Sequence, residues 1–332
     1  MKIVIEDRVP FIEGVFDNHA TVCYLSARDI NADALRDADA LITRTRPKID
    51  KGLLSESSLK IIATATIGTD HIDLPYCIEK NIKVVNAPGC NAPAVAQWVL
   101  RCIYHRIHPT QMKGMTIGII GVGNVGSIVA QWAEGLGFNV LRNDPPRAEA
   151  EGSTQFVEMK DIVEKADIIT FHTPLTSDGP YPTYHLADNR FFQLLKKAPF
   201  ILNASRGEVV DTEAIIMALH NGTVSATAID CWENEPNISS ELVDKSFIST
   251  PHIAGYSLEG KLRATAAVST AVADFFNIEI KLPFDIPLSH KQKVTVPQIT
   301  RPFSLLPINF SLKSNPDKFE MLRDTYKLRR EP

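Results

Sequence analysis

Three short segments, each directly after an apolar run, carry side chains that can move a proton and hold an anion. They are NASRG at 203–207, DCWENEP at 230–236 and PHIAGY at 251–256. In an open α/β sheet, the loops at the carboxyl ends of the strands surround the ligand crevice. The pattern therefore predicts that Arg206, Glu235 and His252 converge on one site, although they lie far apart in the sequence.

These three residue types suit the removal of a hydride from a hydroxy acid. His252 can accept the hydroxyl proton as the hydride leaves. Glu235 beside it would stabilise the imidazolium, raise the pKa of the histidine and fix its tautomer. Arg206 has the planar fork that holds a carboxylate together with a neighbouring oxygen. Each residue alone also fits a structural or surface role, so the hypothesis depends on the three occurring together.

The segment GVGNVG at 121–126 has the G-x-G-x-x-G spacing that receives a dinucleotide pyrophosphate. It directly follows the apolar run TIGII and opens a predicted helix, which is the context that the motif requires. Asp144 ends the next predicted strand, where an acid bonds the adenosine ribose and repels the extra phosphate of NADP. We therefore expect NAD as the cofactor. Its predicted loop consists of Gly121, Gly123, Asn124, Val125 and Gly126.

The elements that must position these residues alternate between short apolar strands and helices. The predicted strands are 2–5, 38–43, 60–65, 82–86, 115–120, 138–142, 167–171, 199–203, 226–230 and 247–250. The predicted helices include 50–59, 93–104 and 124–136. The predicted fold class is α/β, with two doubly wound parallel-sheet domains of Rossmann-like or flavodoxin-like type and a small C-terminal element.

The same pattern predicts the domain organisation. Residues 1–93 and 256–280 would form the substrate domain, and residues 94–255 the NAD-binding Rossmann domain. From 281 the sequence becomes rich in proline, and its end has helical spacing of Phe319, Leu322 and Tyr326. Residues 281–332 would then form a separate, shortened C-terminal region.

Bulk composition excludes several classes of protein. A length of 332 residues predicts about two domains, and a net charge of -4 argues against nucleic acid or an anionic membrane as partner. Five cysteines without a CxxC pair indicate a reducing cytoplasm. No apolar stretch approaches the ~18 residues of a membrane helix. Hydride transfer to nicotinamide needs no metal, so we expect none.

The segments above resemble the D-2-hydroxyacid dehydrogenase family, whose catalytic residues correspond to Arg206, Glu235 and His252. The resemblance is carried by ATATIGTDHID (63–73), NAPGCNAPAVAQWV (86–99), TIGIIGVGNVG (116–126), DPPR (144–147), ITFHTPLTSDGPYPTYHLAD (169–188) and PHIAGYSLEGK (251–261). It is nearly continuous from residue 1 to about 275, and it recurs in FEMLRDTYKLRRE (319–331). DPPR and the stretches around 178–188 and 253–261 are more specific than the glycine motif.

The resemblance implies further contacts and a substrate. The implied cofactor contacts are Asp144, Thr173, Ala204, Arg206, Asp230 and Gly255, and the implied substrate contacts are Thr45, Thr66 and Tyr256. It is greatest to the branch of the family that oxidises 4-phospho-D-erythronate on the route to pyridoxal phosphate. That branch implies a homodimer formed through the C-terminal region.

A possible phosphate site follows the predicted strand at 38–43. Arg44, Thr45 and Arg46 could surround a phosphate with two guanidinium groups and a hydroxyl. Alternating residues of an extended segment point to opposite sides, so the site needs a turn, for which Pro47 is suited. The alternative is that both arginines are surface charges.

Two other functions remain open from the sequence. The first is another member of the same family, acting on 3-phosphoglycerate or a simple 2-hydroxy acid. The second is an NAD(H)-sensing binding protein without catalysis, as some transcriptional corepressors are. Loss of turnover with retained cofactor binding in a His252 variant would distinguish an enzyme from such a sensor.

Overall fold

The structure, a computed structural model, describes residues 1–152, 154–287, 312 and 318–332. The chain divides into two compact units. One holds Met1–Asn91 and the segment that starts at Ser257, and the other holds Ala92–Tyr256 and the described C-terminal residues. Each contains a parallel sheet with helices, which confirms the predicted α/β fold class. No helix in the described ranges has the length and apolar character needed to cross a bilayer.

The first unit is built on a five-stranded sheet in the order β2-β1-β3-β4-β5. All neighbouring strands are parallel, and this order is that of flavodoxin-like folds. The strands are β1 (Lys2–Glu6), β2 (Thr21–Leu25), β3 (Ala40–Thr43), β4 (Ile61–Thr64) and β5 (Lys83–Val85). The helices are α1 (Ala32–Leu35), α2 (Lys51–Leu54), α3 (Leu74–Glu79) and α12 (Leu258–Phe276).

Helix α12 brings the chain back to the first unit after the second sheet is complete. Its Ala264, Val268 and Val272 recur every four residues, so they form one stripe of the helix. That stripe packs in the same apolar core as Ile3 and Ile5 of β1. This return was expected for residues 256–280, although a single sequence could not demonstrate it.

The second unit is built on a six-stranded parallel sheet in the order β11-β10-β9-β8-β6-β7. Its strands are β6 (Thr116–Ile120), β7 (Asn139–Asn143), β8 (Ile168–Phe171), β9 (Phe200–Asn203), β10 (Ala226–Ile229) and β11 (Ile248–Ser249). An isolated parallel bridge between Arg142 and Phe156 extends the sheet beyond β7. With that bridge counted, the strand order around β6 is that of dinucleotide-binding folds.

The helices of the second unit cover this sheet and its edges. They are α4 (Ala92–Arg106), α5 (Pro109–Met112), α6 (Asn124–Gly135), α7 (Pro145–Glu151), α8 (Met159–Lys165), α9 (Asn189–Leu194), α10 (Thr212–His220), α11 (Ser240–Lys245) and the C-terminal helix (Phe319–Thr325). Aspartate or serine side chains cap several of them, as Asp188, Asp211 and Ser239 do. These caps fix where the helices begin after the strand-end loops.

Two sequence expectations on secondary structure were wrong. The helix expected at 50–59 ends at Leu54, because Ser57 bonds back to the Leu54 carbonyl through both its N–H and its hydroxyl. Strand β2 was not predicted at all. Its residues are partly exposed at the edge of the sheet, so TVCYL lacks the continuous apolar character of the inner strands.

The expectation of a separate C-terminal region from 281 falls largely on residues outside the described ranges. The described tail, 318–332, packs on the second unit. Phe319 is buried among residues of the second unit, and Tyr326 packs against a second core cluster of that unit. Dimerisation through this region stays a prediction.

Candidate active site

Three neighbouring parallel strands, β9, β10 and β11, end at the same edge of the second sheet. Ile229 is paired with Asn203 on one side and with Ser249 on the other, so the loops that follow begin at one level. The first two loops are in backbone contact. A Cβ added to Gly207 would lie 1.9 Å from the Trp232 carbonyl carbon, so only glycine fits there.

His252 and Glu235 form a hydrogen-bonded pair at this edge. His252 Nδ1 lies 2.8 Å from Glu235 Oε2 and 3.1 Å from Oε1. The Trp232 N–H donates to Glu235 Oε1 at 2.9 Å, which holds the carboxylate toward the imidazole. Since Nδ1 faces the carboxylate, the nitrogen left to exchange a proton with a substrate hydroxyl is Nε2.

The surroundings of the pair favour its ion-pair state. Burial opposes a charge on the imidazole, but the Cys231 and Glu235 side chains favour it, and the net effect holds the pKa of His252 well above its usual range. Burial also opposes the Glu235 carboxylate, yet His252, the Trp232 N–H and the Arg323 charge lower the pKa of Glu235 overall. The site is thus set to retain a proton on His252 after a hydroxyl has released it.

Replacing Glu235 by glutamine should move the pH dependence of catalysis. Oxidation needs neutral His252, and loss of the Glu235 carboxylate lowers the His252 pKa, because that carboxylate favours the charged imidazole. We therefore expect the rising limb of kcat/KM for oxidation to move to lower pH. The reverse reaction, which needs imidazolium, should lose rate at neutral pH. Parallel pH profiles in both directions measure this, and an unmoved rising limb would contradict the role given to Glu235.

Asp230 holds the loop that presents His252. It is 1% exposed, and its Oδ1 accepts from the Thr250 hydroxyl at 2.5 Å and from the Ile253 N–H at 2.8 Å. Its Oδ2 accepts from the Ala254 N–H at 2.9 Å. The sequence prediction made Asp230 a cofactor contact. The structure gives it this loop-holding role, and a contact with NAD stays a prediction.

A second polar side chain, which sequence reasoning missed, holds the loop of Arg206. Asn203 donates from Nδ2 to the Arg206 carbonyl at 2.8 Å and accepts from both the N–H and the hydroxyl of Ser205. Arg206 is half-buried and donates from Nη1 to the Ser205 carbonyl at 2.8 Å. The signal was present in the sequence, because an asparagine at a strand end commonly bonds the backbone of the following turn.

The glycine loop has the shape that a pyrophosphate requires. Gly121 has a φ of +85°, and a Cβ there would lie 2.7 Å from the His172 carbonyl carbon. A Cβ on Gly126 would lie 2.0 Å from the Gly121 oxygen, whereas Gly123 faces open space. Glycine is thus needed for close packing at two positions and leaves room at the third. Asn124 and Val125 begin helix α6. The backbone N–H groups of its first turn have no partner within the helix and can bind a phosphate.

The other predicted cofactor residues lie beside this loop or at the same sheet edge. Asp144 caps α7 by accepting from the Arg147 N–H at 3.2 Å, and it also accepts from the Val122 N–H at 2.7 Å. Thr173 Oγ1 is buried without a hydrogen-bond partner among the described residues, as expected of a group that a ligand satisfies. Ala204 and Gly255 are half-buried in the strand-end loops. These features fit a dinucleotide.

His172, next to Thr173, is not an acid or base candidate. Burial lowers its pKa to about 3, and its Nε2 lies 3.0 Å from the Thr170 hydroxyl. The imidazole is therefore neutral and packs under the glycine turn.

The predicted substrate residues of the first unit lie after β3 and β4. Thr66 donates to the Gly68 carbonyl at 3.0 Å, and its hydroxyl lies 2.6 Å from that of Thr64. A bend follows β3 at 45–47, so the turn that the phosphate hypothesis required is present. Thr45 and Arg46 are exposed there. Their binding of substrate stays a prediction.

Arg44 makes two hydrogen bonds at the start of this bend. Its N–H donates to buried Glu6 at 2.6 Å, and its Nη1 donates to the Arg8 carbonyl at 3.4 Å. Arg44 Nε is buried without a hydrogen-bond partner in the described ranges. Glu6 is fully buried and anchors the start of this bend.

Tyr256, the predicted substrate residue of the second unit, is half-buried. Its hydroxyl accepts from Arg323 Nε at 3.1 Å. Sequence reasoning did not single out Arg323, although the resemblance recurred in the segment that carries it.

One group of potential metal ligands also exists in the described ranges, formed by Cys231, Glu235 and His252 within 4.8 Å of one another. The expectation of no metal therefore stays a prediction.

Comparison with known proteins decides the family. Residues 92–254 match the model of the D-isomer specific 2-hydroxyacid dehydrogenase, NAD binding domain. The chain is 47% identical to an erythronate-4-phosphate dehydrogenase of Bacteroides fragilis, over 100% of this chain and 97% of that protein. The chain belongs to the D-isomer specific 2-hydroxyacid dehydrogenase family. It is an NAD-dependent oxidoreductase of that family, as its sequence predicted.

Two further proteins are similar to this D-2-hydroxyacid dehydrogenase. An erythronate-4-phosphate dehydrogenase of Escherichia coli is 40% identical over 86% of this chain and 76% of that protein. The crystal structure of NAD+-bound 3-phosphoglycerate dehydrogenase of Entamoeba histolytica is 25% identical, with a TM-score of 0.71, over 87% of this chain and 99% of that chain. The fold is thus that of an enzyme solved with NAD bound, which supports NAD as the cofactor.

Proposed function

We propose that this dehydrogenase oxidises 4-phospho-D-erythronate to (R)-3-hydroxy-2-oxo-4-phosphooxybutanoate with NAD as the acceptor. The observation that carries the proposal is the full-length similarity to proteins named for erythronate 4-phosphate, in a chain whose His252–Glu235 pair is assembled. The reaction would be a step in pyridoxal phosphate biosynthesis.

Arg206, His252 and Glu235 have separate roles in the proposed reaction. Arg206 holds the substrate carboxylate and the oxygen on the neighbouring carbon through its planar fork. His252 Nε2 accepts the hydroxyl proton while the C2–H bond breaks, and Glu235 stabilises the resulting imidazolium from Nδ1. NAD, when bound, supplies the hydride acceptor. Gly123, which faces open space, would let the NAD pyrophosphate approach the backbone, in a turn that Gly121 and Gly126 make possible.

We further propose a cytoplasmic homodimer. The five cysteines show no disulfide in the described chain, as a reducing compartment would favour. The partner implied by the function is a small phosphorylated hydroxy acid. Gel filtration with light scattering would measure the mass of the particle, and a monomer would contradict the dimer.

Cofactor-linked turnover tests the substrate directly. 4-Phospho-D-erythronate, unphosphorylated D-erythronate and 3-phospho-D-glycerate should be compared side by side, with 2-oxo acids present to recycle tightly held NADH. We expect kcat/KM to be highest for 4-phospho-D-erythronate, because a site built for a charged group leaves its cations unpaired when that group is missing. Preference for 3-phosphoglycerate would keep the family and overturn the substrate.

A further inference from the structure

Arg323 lies beside the catalytic pair although it belongs to the C-terminal tail. It projects from the C-terminal helix, and its Nε donates to the Tyr256 hydroxyl at 3.1 Å. Its charge also acts on Glu235, whose pKa it helps to lower. Only 19% of the side chain is exposed, which is unusual for an arginine.

The tail that carries Arg323 is fastened to the loop that follows His252. Arg329 donates from Nη1 to the carbonyls of Ile253 at 2.9 Å and Tyr256 at 3.0 Å, and from Nη2 to that of Ala254. Further bonds from Arg329 reach α4. They run to the Ala94 carbonyl at 2.8 Å and to the Gln97 side chain at 2.8 Å. The position of Arg323 is therefore fixed by the same loop that presents the catalytic histidine.

The terminal nitrogens of the Arg323 guanidinium can donate further hydrogen bonds. Its Nη1 lies 3.6 Å from Glu320 Oε1, which is an ion-pair distance and longer than a hydrogen bond. Within the described ranges, neither terminal nitrogen makes a hydrogen bond, so the N–H groups of both could form a fork for an anion. A positive charge here also offsets the repulsion between the Glu235 carboxylate and an incoming anionic substrate.

We propose that Arg323 is a specificity-determining residue that binds the terminal phosphate of the substrate next to Tyr256. This inference rests on the proposed function, because it needs a substrate with a second anionic group. Arg206 takes the carboxylate beside the reacting carbon, and Arg323 takes the dianion at the other end. The C-terminal tail thereby becomes part of the active site.

The test compares Arg323→Gln with the native enzyme on a phosphorylated and an unphosphorylated substrate. We expect kcat/KM for 4-phospho-D-erythronate to fall by about 10–100-fold, the loss of one or two charge-assisted hydrogen bonds. The value for D-erythronate should fall much less, because that substrate has no terminal phosphate for Arg323 to bind. Inorganic phosphate should inhibit turnover of D-erythronate competitively in the native enzyme and not in the variant. Lys327→Gln, which removes an exposed cation from the same tail, is the matched control.

The outcomes separate this inference from the proposed function. An equal loss on both substrates would show that Arg323 only fastens the tail or orients Tyr256, and it would overturn the inference. An unchanged preference for the phosphorylated substrate would overturn it as well. If the native enzyme itself showed no such preference, the proposed function would fail first. Binding of NADH, followed by its fluorescence, checks that the variant is folded.

Discussion

Replacing His252 by asparagine should reduce kcat by about 10²–10⁴-fold while the enzyme still binds NADH. Asparagine cannot accept the hydroxyl proton, so oxidation loses its base. Asparagine rather than alanine is the appropriate substitution, because His252 has a φ of +54°, and asparagine adopts this left-handed conformation with little strain. Steady-state turnover and NADH fluorescence titration measure the two effects separately.

The control for this experiment is His220→Asn, at the exposed end of α10. Its turnover should match that of the native enzyme. A His252→Asn variant that kept full turnover would remove the histidine from the mechanism. If the native protein bound NADH tightly but turned over none of the hydroxy acids tested, the NAD-sensing hypothesis would replace the enzymatic one.

Removing the Asp230 carboxylate in the Asp230→Ala variant should destabilise the second unit by about 1–3 kcal/mol for each buried donor that loses its acceptor. Its oxygens accept from the Thr250 hydroxyl and from the N–H groups of Ile253 and Ala254 in a site closed to water. Those buried donors would lose their acceptors, and unpaired donors are costly. Urea unfolding monitored by tryptophan fluorescence measures the change in free energy.

Two further variants make this experiment specific. Asp230→Asn keeps the shape of the side chain but turns an amide NH2 toward a backbone N–H. We therefore expect its free energy of unfolding to lie between those of the native protein and Asp230→Ala. Asp178→Ala removes an exposed aspartate and should change the free energy of unfolding by less than about 0.5 kcal/mol. Equal stability of Asp230→Ala and the native protein would show that Asp230 does not hold the loop.

The sequence predicted the parts of the fold that have strong local signals. The inner strands of both sheets are apolar runs of four or five residues, and their expected limits differ from the observed ones by one or two residues. Edge strand β2 and the end of α2 escaped prediction, because exposure and serine hydrogen bonds are not visible in an apolar pattern.

The candidate site was predictable where chain order sets geometry. His252 and Glu235 follow adjacent parallel strands, so strand pairing alone brings their loops together. The interactions of Asn203, Asp230 and Arg323 depend on which backbone groups the loops bury and on where a distant tail packs. Such contacts between remote segments leave no periodic signal in one sequence.

The length of segment 230–235 is set by two hydrogen-bonded contacts at its ends. Asp230 at one end binds the backbone of the 252–254 loop, and Glu235 at the other binds the imidazole of His252. A single residue inserted or deleted between Asp230 and Glu235 would break one of these two contacts. Attempts to re-engineer this enzyme by varying loop length should therefore leave these six positions untouched and begin beyond Pro236, where Asn237 is exposed to solvent.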